Sequence, residues 1–188
     1  HLTKSVRDEW SKIQGRYIDL SINAVGEEQI QLISKAIVSE LKPSRISSKT
    51  RLVTKTIAKN KPVEIDSLNK ILNNCWPLHP VVAGWLGPIS RKRFGQNQRS
   101  IFSFLSSAET FGFNHFISNN TINSKVLYSP IQLWDYLEAN FSNAIIASPD
   151  SSIWNLANES ISRASVLFNS SFHQNILKVI SLINIFKG

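Results

Sequence analysis

Three consecutive segments of the C-terminal third carry apolar side chains at helical spacing, and this periodicity constrains the fold more than any other feature. The first segment starts at Ser129-Pro130, where a cap residue precedes a proline suited to the first helical turn. The Pro149-Asp150 step separates it from the second segment. The third, residues 172–186, is apolar nearly all round, so we expect neighbouring structure or another chain to cover it on several sides.

The preceding part of the chain also favours helices. Helices are expected at residues 3–14, 27–41, about 66–75, 80 to about 94 and about 97–106. Pro77 and Pro80 should interrupt the helical conformation and form a turn between two of these helices. His79 is expected to hold this turn together by hydrogen bonds. Residues 16–22 alternate like a short strand, whereas residues 52–56 fit either a strand or a helix. We therefore expect a mainly α fold: a helical bundle with one to three short strands, then a second small helical or winged-helix unit.

The composition excludes several classes of protein. Cys75 is the single cysteine, so an intrachain disulfide and a cysteine-based zinc site are both excluded. No apolar run reaches the roughly 18 residues that a membrane span needs. The single cysteine fits a reducing setting, so we expect a cytoplasmic protein without a membrane partner. The chain starts at His1 and has no Met, so we expect it to be a piece of a larger protein.

Positive charge is concentrated in one stretch of the chain. The formal net charge is +8, and residues 42–61 hold seven basic side chains and no acidic one. A second basic cluster follows at residues 91–93. Such stretches favour a phosphate-facing surface, and a solvated basic loop is the alternative. The nucleic-acid candidates are Lys49, Arg51, Lys55, Lys59, Arg91, Lys92 and Arg93. Few aromatic residues lie among them, so base stacking on a single strand is not indicated.

No self-contained active site is visible in the sequence. The chain lacks a phosphate loop, a dinucleotide-binding glycine pattern, an H-E-x-x-H motif and a G-x-S-x-G motif. Its four histidines are scattered without metal-ligand spacing, so no metal site is predicted. We therefore expect the chain by itself to be non-catalytic.

Three segments carry distinctive local sequences. Residues 9–19 are EWSKIQGRYID, residues 77–105 begin with PLHP and end with RSIFSFL, and residues 177–184 are LKVISLIN. In this order they resemble segments of very large bacterial P-loop ATPases, several linked to phage defence: EWxKxQGRFxDI, PLHPxTxxLLPxLSRRxxQNERSLFSFL and LKxIxLLN. The chain departs from these patterns at Gly87 and Gln98.

The order of elements is also similar to the second half of an AAA+ ATPase module of the initiator kind, the origin-recognition branch. There a lid domain carries a sensor-2 pattern, Gly-Asp-x-Arg. The segment Gly95-Gln96-Asn97-Gln98-Arg99 resembles it, with the arginine one place later and glutamine in place of aspartate.

This resemblance implies a division of the chain and a role for two arginines. Residues 1–25 would end the ATPase core, 26–110 would form a helical lid-like domain, and 111–188 a helical or winged-helix-like domain truncated at its C-terminus. Arg99 would contact nucleotide phosphates, and Arg16 would be a sensor or trans-acting arginine near the γ-phosphate. ATP with Mg²⁺ would bind to the larger protein, whose phosphate loop would precede His1, and none is expected on this chain alone.

Three functional hypotheses follow. In the first, the chain is the lid and C-terminal helical part of a P-loop ATPase; it closes over nucleotide and relays its state to the remainder of the polypeptide. In the second, it is a non-catalytic module that binds DNA through its basic residues. In the third, it is a helical scaffold for protein–protein contact. Self-association of the larger protein is compatible with all three.

Overall fold

A computed structural model describes residues 26–41, 45–92, 101–123, 126–168 and 170–186. These residues contain nine α-helices: α1 Glu27–Ala36, α2 Ser48–Ala58, α3 Ile65–Asn74, α4 Pro80–Arg91, α5 Ile101–Ser106, α6 Phe113–Asn119, α7 Pro130–Ile146, α8 Ser151–Leu167 and α9 Ser171–Ile185. The prediction of a mainly α fold is confirmed. The helix expected at 3–14 and the strand expected at 16–22 lie outside the described residues. In the part that is described, β pairing is limited to an isolated parallel bridge between Leu78 and Tyr128.

The ends of several helices differ from the sequence prediction. The helix expected to reach Leu41 ends at Ala36, and Ile37 is already extended. Ile37 and Val38 are consecutive β-branched residues, which lose side-chain freedom in a helix. Ile37 still contributes to the core, whereas Leu41 is exposed. The helix that starts at Pro80 ends at Arg91 instead of near residue 94, because Lys92 adopts an extended conformation.

The structure resolves one ambiguous segment and contains one helix that the sequence did not predict. The ambiguous residues 52–56 belong to α2, which Ser47 caps by accepting a hydrogen bond from the Thr50 N–H at 3.0 Å. Helix α6 was not predicted from the sequence. It has seven residues and begins after Gly112, whose lack of a side chain leaves no cap signal.

One buried cluster includes residues from both halves of the chain. Trp134 and Trp154 are buried and stacked, with ring centroids 4.5 Å apart. Phe104 is buried between the rings of Tyr128 and Tyr136, at centroid distances of 5.5 and 5.0 Å. Residues on either side of the boundary predicted at 110 therefore share one core. The boundary itself stays a prediction.

Helices α8 and α9 form a hairpin that packs on α7. Residues 168–170 separate the two helices, so the start of α8 and the end of α9 lie at the same end of the hairpin. Within the described structure α9 is covered on one side. Leu182 and Ile185 are buried there, whereas the opposite side exposes Phe172, Ile176, Ile180 and Ile183. None of the described helices combines the length and the apolar character needed to cross a membrane.

The two sides of α9 should respond differently to substitution. Leu182→Ala should lower the free energy of unfolding by about 2–5 kcal/mol, because it empties a fully buried site. Ile180→Gln, two residues away on the exposed side, should change it by about 0.5 kcal/mol or less. Urea unfolding of both variants checks this, and equal losses would contradict the described burial of α9.

Candidate functional site

Helix α4 lies within residues 77–105, and hydrogen bonds to the loop before α7 fix its start. The His79 N–H donates to the Tyr128 carbonyl at 2.9 Å, and the Tyr128 N–H donates to the Pro77 carbonyl at 2.8 Å. The His79 imidazole caps the helix, since its Nδ1 accepts from the Val81 N–H at 3.3 Å. The expectation that His79 holds the turn by hydrogen bonds is confirmed.

Tyr128 anchors this turn in the core. Its ring is fully buried, and its hydroxyl donates to the Phe111 carbonyl at 2.7 Å. Burial, with smaller contributions from Tyr136 and Asp135, raises the pKa of the Tyr128 hydroxyl well above its ordinary value. The hydroxyl therefore stays protonated and remains a donor. The start of α4 is thus fixed to the loop that precedes α7.

The other end of α4 is fixed by Lys92, the residue that follows the helix. Its ammonium group lies 2.8 Å from Asp150 Oδ2 and donates to the Ile185 carbonyl at 2.5 Å. The same Nζ atom lies 5.6 Å from the centroid of the Phe186 ring. The side chains of Lys92 and Asp150 are 29% and 23% exposed, so the pair is partly shielded from water. We call this group of four residues the Lys92 junction.

The charges of the Lys92 junction complement two helix ends. Asp150 is the N-cap residue of α8, but its carboxylate makes no cap hydrogen bond and accepts from Lys92 instead. The Ile185 carbonyl belongs to the last turn of α9, where carbonyl groups lack partners within the helix. A cation is favourable at such a C-terminus, and an anion at a helix N-terminus. Lys92 therefore connects the end of α4 to the start of α8 and to the end of α9, which form the open end of the hairpin.

A second ion pair fixes the hairpin to α7. Lys178 Nζ on α9 lies 2.6 Å from Asp135 Oδ1 on α7, and both side chains are largely shielded, at 17% and 25% exposure. The hairpin is thus connected by charged groups to α4 and to α7. Partly buried ion pairs of this kind contribute more to the free energy of unfolding than exposed pairs, which are screened by water.

Apart from Lys92, the residues predicted to bind nucleotide or nucleic acid fall into three groups. Arg16, Arg93 and Arg99 lie outside the described residues. Arg91 is the last residue of α4. The remaining four candidates, which belong to α2 or directly follow it, are all exposed to solvent: Lys49, Arg51, Lys55 and Lys59.

Lys92 differs from the other nucleic-acid candidates. Its ammonium group already contacts a carboxylate, a carbonyl and an aromatic ring of the same chain. A contact with an external phosphate would require these bonds to break. The structure therefore gives Lys92 an internal role, and its contact with a nucleic-acid phosphate stays a prediction. Sequence reasoning missed Asp150 and Ile185 as its partners, because no local pattern connects positions so far apart.

Comparison with known proteins adds no relative. No family model, no curated protein and no solved structure matches the chain. Across the described residues, no group of three or more His, Cys, Asp or Glu side chains is arranged to hold a metal ion.

The cap formed by His79 should make stability depend on pH. Burial and the nearby Lys49 lower the pKa of His79 below its ordinary value of 6.5. The unfolded chain therefore takes up this proton before the folded one does, so stability is full above pH 6.5 and falls as the pH drops towards the folded-state pKa. His79→Asn keeps a cap without titrating and should reduce this loss, as urea unfolding at pH 7.5 and 5.5 would show.

His79→Ala provides the control for the cap itself. It should cost about 1 kcal/mol at pH 7.5, because it removes the acceptor for the Val81 N–H. The same pH dependence in His79→Asn as in the unmodified protein would contradict the proposed role of the imidazole.

Proposed function

We propose that this chain is the lid-like and C-terminal helical part of a P-loop ATPase, which closes over nucleotide and passes its state to the rest of a larger protein. Two lines of support meet in one segment. Residues 77–105 carry the longest stretch of similarity to the large bacterial ATPases. The same segment contains α4 and is fixed to the C-terminal hairpin by the Lys92 junction. This junction is the observation that carries the proposal.

The proposed nucleotide contact is Arg99. An arginine presents a planar fork of donors that matches two phosphate oxygens, so it senses whether a phosphate group is present. The bound ATP with Mg²⁺ supplies the charge that changes on hydrolysis. The phosphate loop that holds it belongs, in this proposal, to another part of the polypeptide. Arg16 is the second proposed phosphate contact, and both roles rest on the resemblance.

The proposed relay runs from Arg99 through Lys92 to the hairpin. Seven Cα-to-Cα steps connect the two positions, so the chain can span at most about 25 Å between them. Lys92 is held on both sides: α4 packs in the core before it, and Asp150 and Ile185 hold its ammonium group. In this proposal, movement of Arg99 towards a phosphate pulls on Lys92. Because Lys92 is bonded to Asp150 and Ile185, the movement reaches the open end of the hairpin.

Helix α4 suits this role because its two ends are attached to different elements. Its start is bonded to the loop before α7 through His79 and Tyr128. Between its ends, Val82, Ala83 and Leu86 are buried. A helix packed in this way moves as a unit, so displacement at one end reaches the other.

Substitution of Arg99 tests the proposed contact in the polypeptide that contains the phosphate loop. Arg99→Ala should lower ATP turnover strongly, because a lost hydrogen bond to a charged group costs about 1.5–3 kcal/mol. Its effect on stability should be about 0.5 kcal/mol, as for a surface substitution. Arg99→Lys should restore turnover only in part, since a point charge cannot reproduce the planar fork.

Turnover and thermal unfolding measured on the same samples separate this role from a structural one. If Arg99 pairs with a carboxylate of its own chain instead, Arg99→Ala would lower the melting temperature and leave turnover per folded molecule unchanged. That result would remove Arg99 from the proposed site.

A further inference from the structure

Helix α2 presents two chemically different sides. Thr50 and Thr54 are buried, and Val53 and Ile57 pack against the core. The opposite side is exposed and basic. We call its four cations, Lys49, Arg51, Lys55 and Lys59, the α2 basic face.

The cations of the α2 basic face lack local carboxylate partners. Residues 45–63 contain six basic side chains and no acidic one. Among the described residues, the ion pairs are those of Lys92, Arg163 and Lys178, and none involves this face. Within the described part of the chain, no salt bridge therefore neutralises the positive charge of the α2 basic face, whereas Lys92 and Lys178 are each paired with a carboxylate.

The spacing of three of these cations matches a phosphate backbone. Arg51, Lys55 and Lys59 are four residues apart, so they lie along one side of the helix with a rise of about 6 Å per step. One strand of a duplex presents a phosphate charge about every 3.4 Å along the axis. Three cations over about 12 Å can therefore each meet a phosphate of the same strand.

We propose that the α2 basic face binds the phosphate backbone of duplex DNA without reading its sequence. Lysine and arginine contacts to phosphate position a protein on a duplex and carry no sequence information by themselves. Residues 45–63 contain no aromatic side chain, so a stacking platform for a single strand is missing from this surface. The inference does not depend on the proposed ATPase role, because it concerns a different helix and needs no nucleotide.

An anionic membrane surface fits α2 less well than DNA. A helix that lies on a membrane inserts an apolar face between the lipids, with basic residues beside it. In α2 the apolar side chains Val53 and Ile57 face the protein core instead. Among the described side chains of α2, Leu52 is the one large apolar residue that is exposed, at 68%. Helix α2 therefore offers charge without an inserting face.

The test compares two triple variants of this chain that lose the same charge. R51Q/K55Q/K59Q removes three cations of the α2 basic face. K35Q/K70Q/R163Q removes three exposed cations from α1, α3 and α8. Fluorescence anisotropy with a labelled duplex of about 20 base pairs and arbitrary sequence gives the affinity between about 50 and 200 mM salt. Circular dichroism and urea unfolding confirm that both variants are folded.

The unmodified chain should bind with a slope of log K against log salt near −3.6 for four phosphate contacts, at about 0.9 per contact. R51Q/K55Q/K59Q should make the salt dependence shallower, with a slope of about −1, and should lower the affinity at least about tenfold at 50 mM salt. K35Q/K70Q/R163Q should keep nearly the original slope.

Several outcomes would overturn the proposal. These are failure of the unmodified chain to bind the duplex, equal losses in the two variants, tighter binding of a single strand of the same sequence, and stronger binding to phosphatidylserine vesicles than to DNA. Equal losses would show an effect of net charge alone, without a defined surface.

Discussion

The contact between the ammonium group of Lys92 and the open end of the α8–α9 hairpin is the interaction on which the arrangement of the terminal helices depends. Lys92 bonds to Asp150 at the start of α8 and to the Ile185 carbonyl at the end of α9. One cation thus bonds to a carboxylate at a helix N-terminus, where the dipole favours an anion, and to a carbonyl at a helix C-terminus, where the dipole favours the cation. Partial burial strengthens these bonds relative to a surface pair, and loss of one partner would leave the others poorly solvated.

Helix α4 connects this contact to the rest of the core. At its start, the His79 N–H donates to the Tyr128 carbonyl and the Tyr128 N–H donates to the Pro77 carbonyl. The Tyr128 ring packs against Phe104. At its end is Lys92. Helix α4 and Lys92 therefore join the early helices to the hairpin, and the proposed ATPase role rests on the segment that contains them.

Local signals in the sequence predicted much of this fold, and long-range contacts were beyond them. Ser129-Pro130 correctly marked the start of α7, because caps and first-turn prolines act within a few residues. Helix α6 was missed, since seven residues after Gly112 provide neither a cap nor a long period. The partners of Lys92 lie 58 and 93 residues away, so only tertiary structure could identify them. Arg16 and Arg99 remain predictions that rest on the family resemblance.

The most direct test of the proposed relay is hydrogen exchange of α9 in the larger polypeptide proposed to be an ATPase, with and without ATP and Mg²⁺. The variant Lys92→Met keeps most of the length of the side chain and removes its charge. Arg163→Met, which removes an exposed pair with Glu159, is the control. The account predicts that nucleotide changes amide protection in residues 171–185 of the unmodified protein and of the control, and that Lys92→Met abolishes this change. An unmodified protein whose α9 ignores nucleotide, or a Lys92→Met variant that still responds fully, would contradict it.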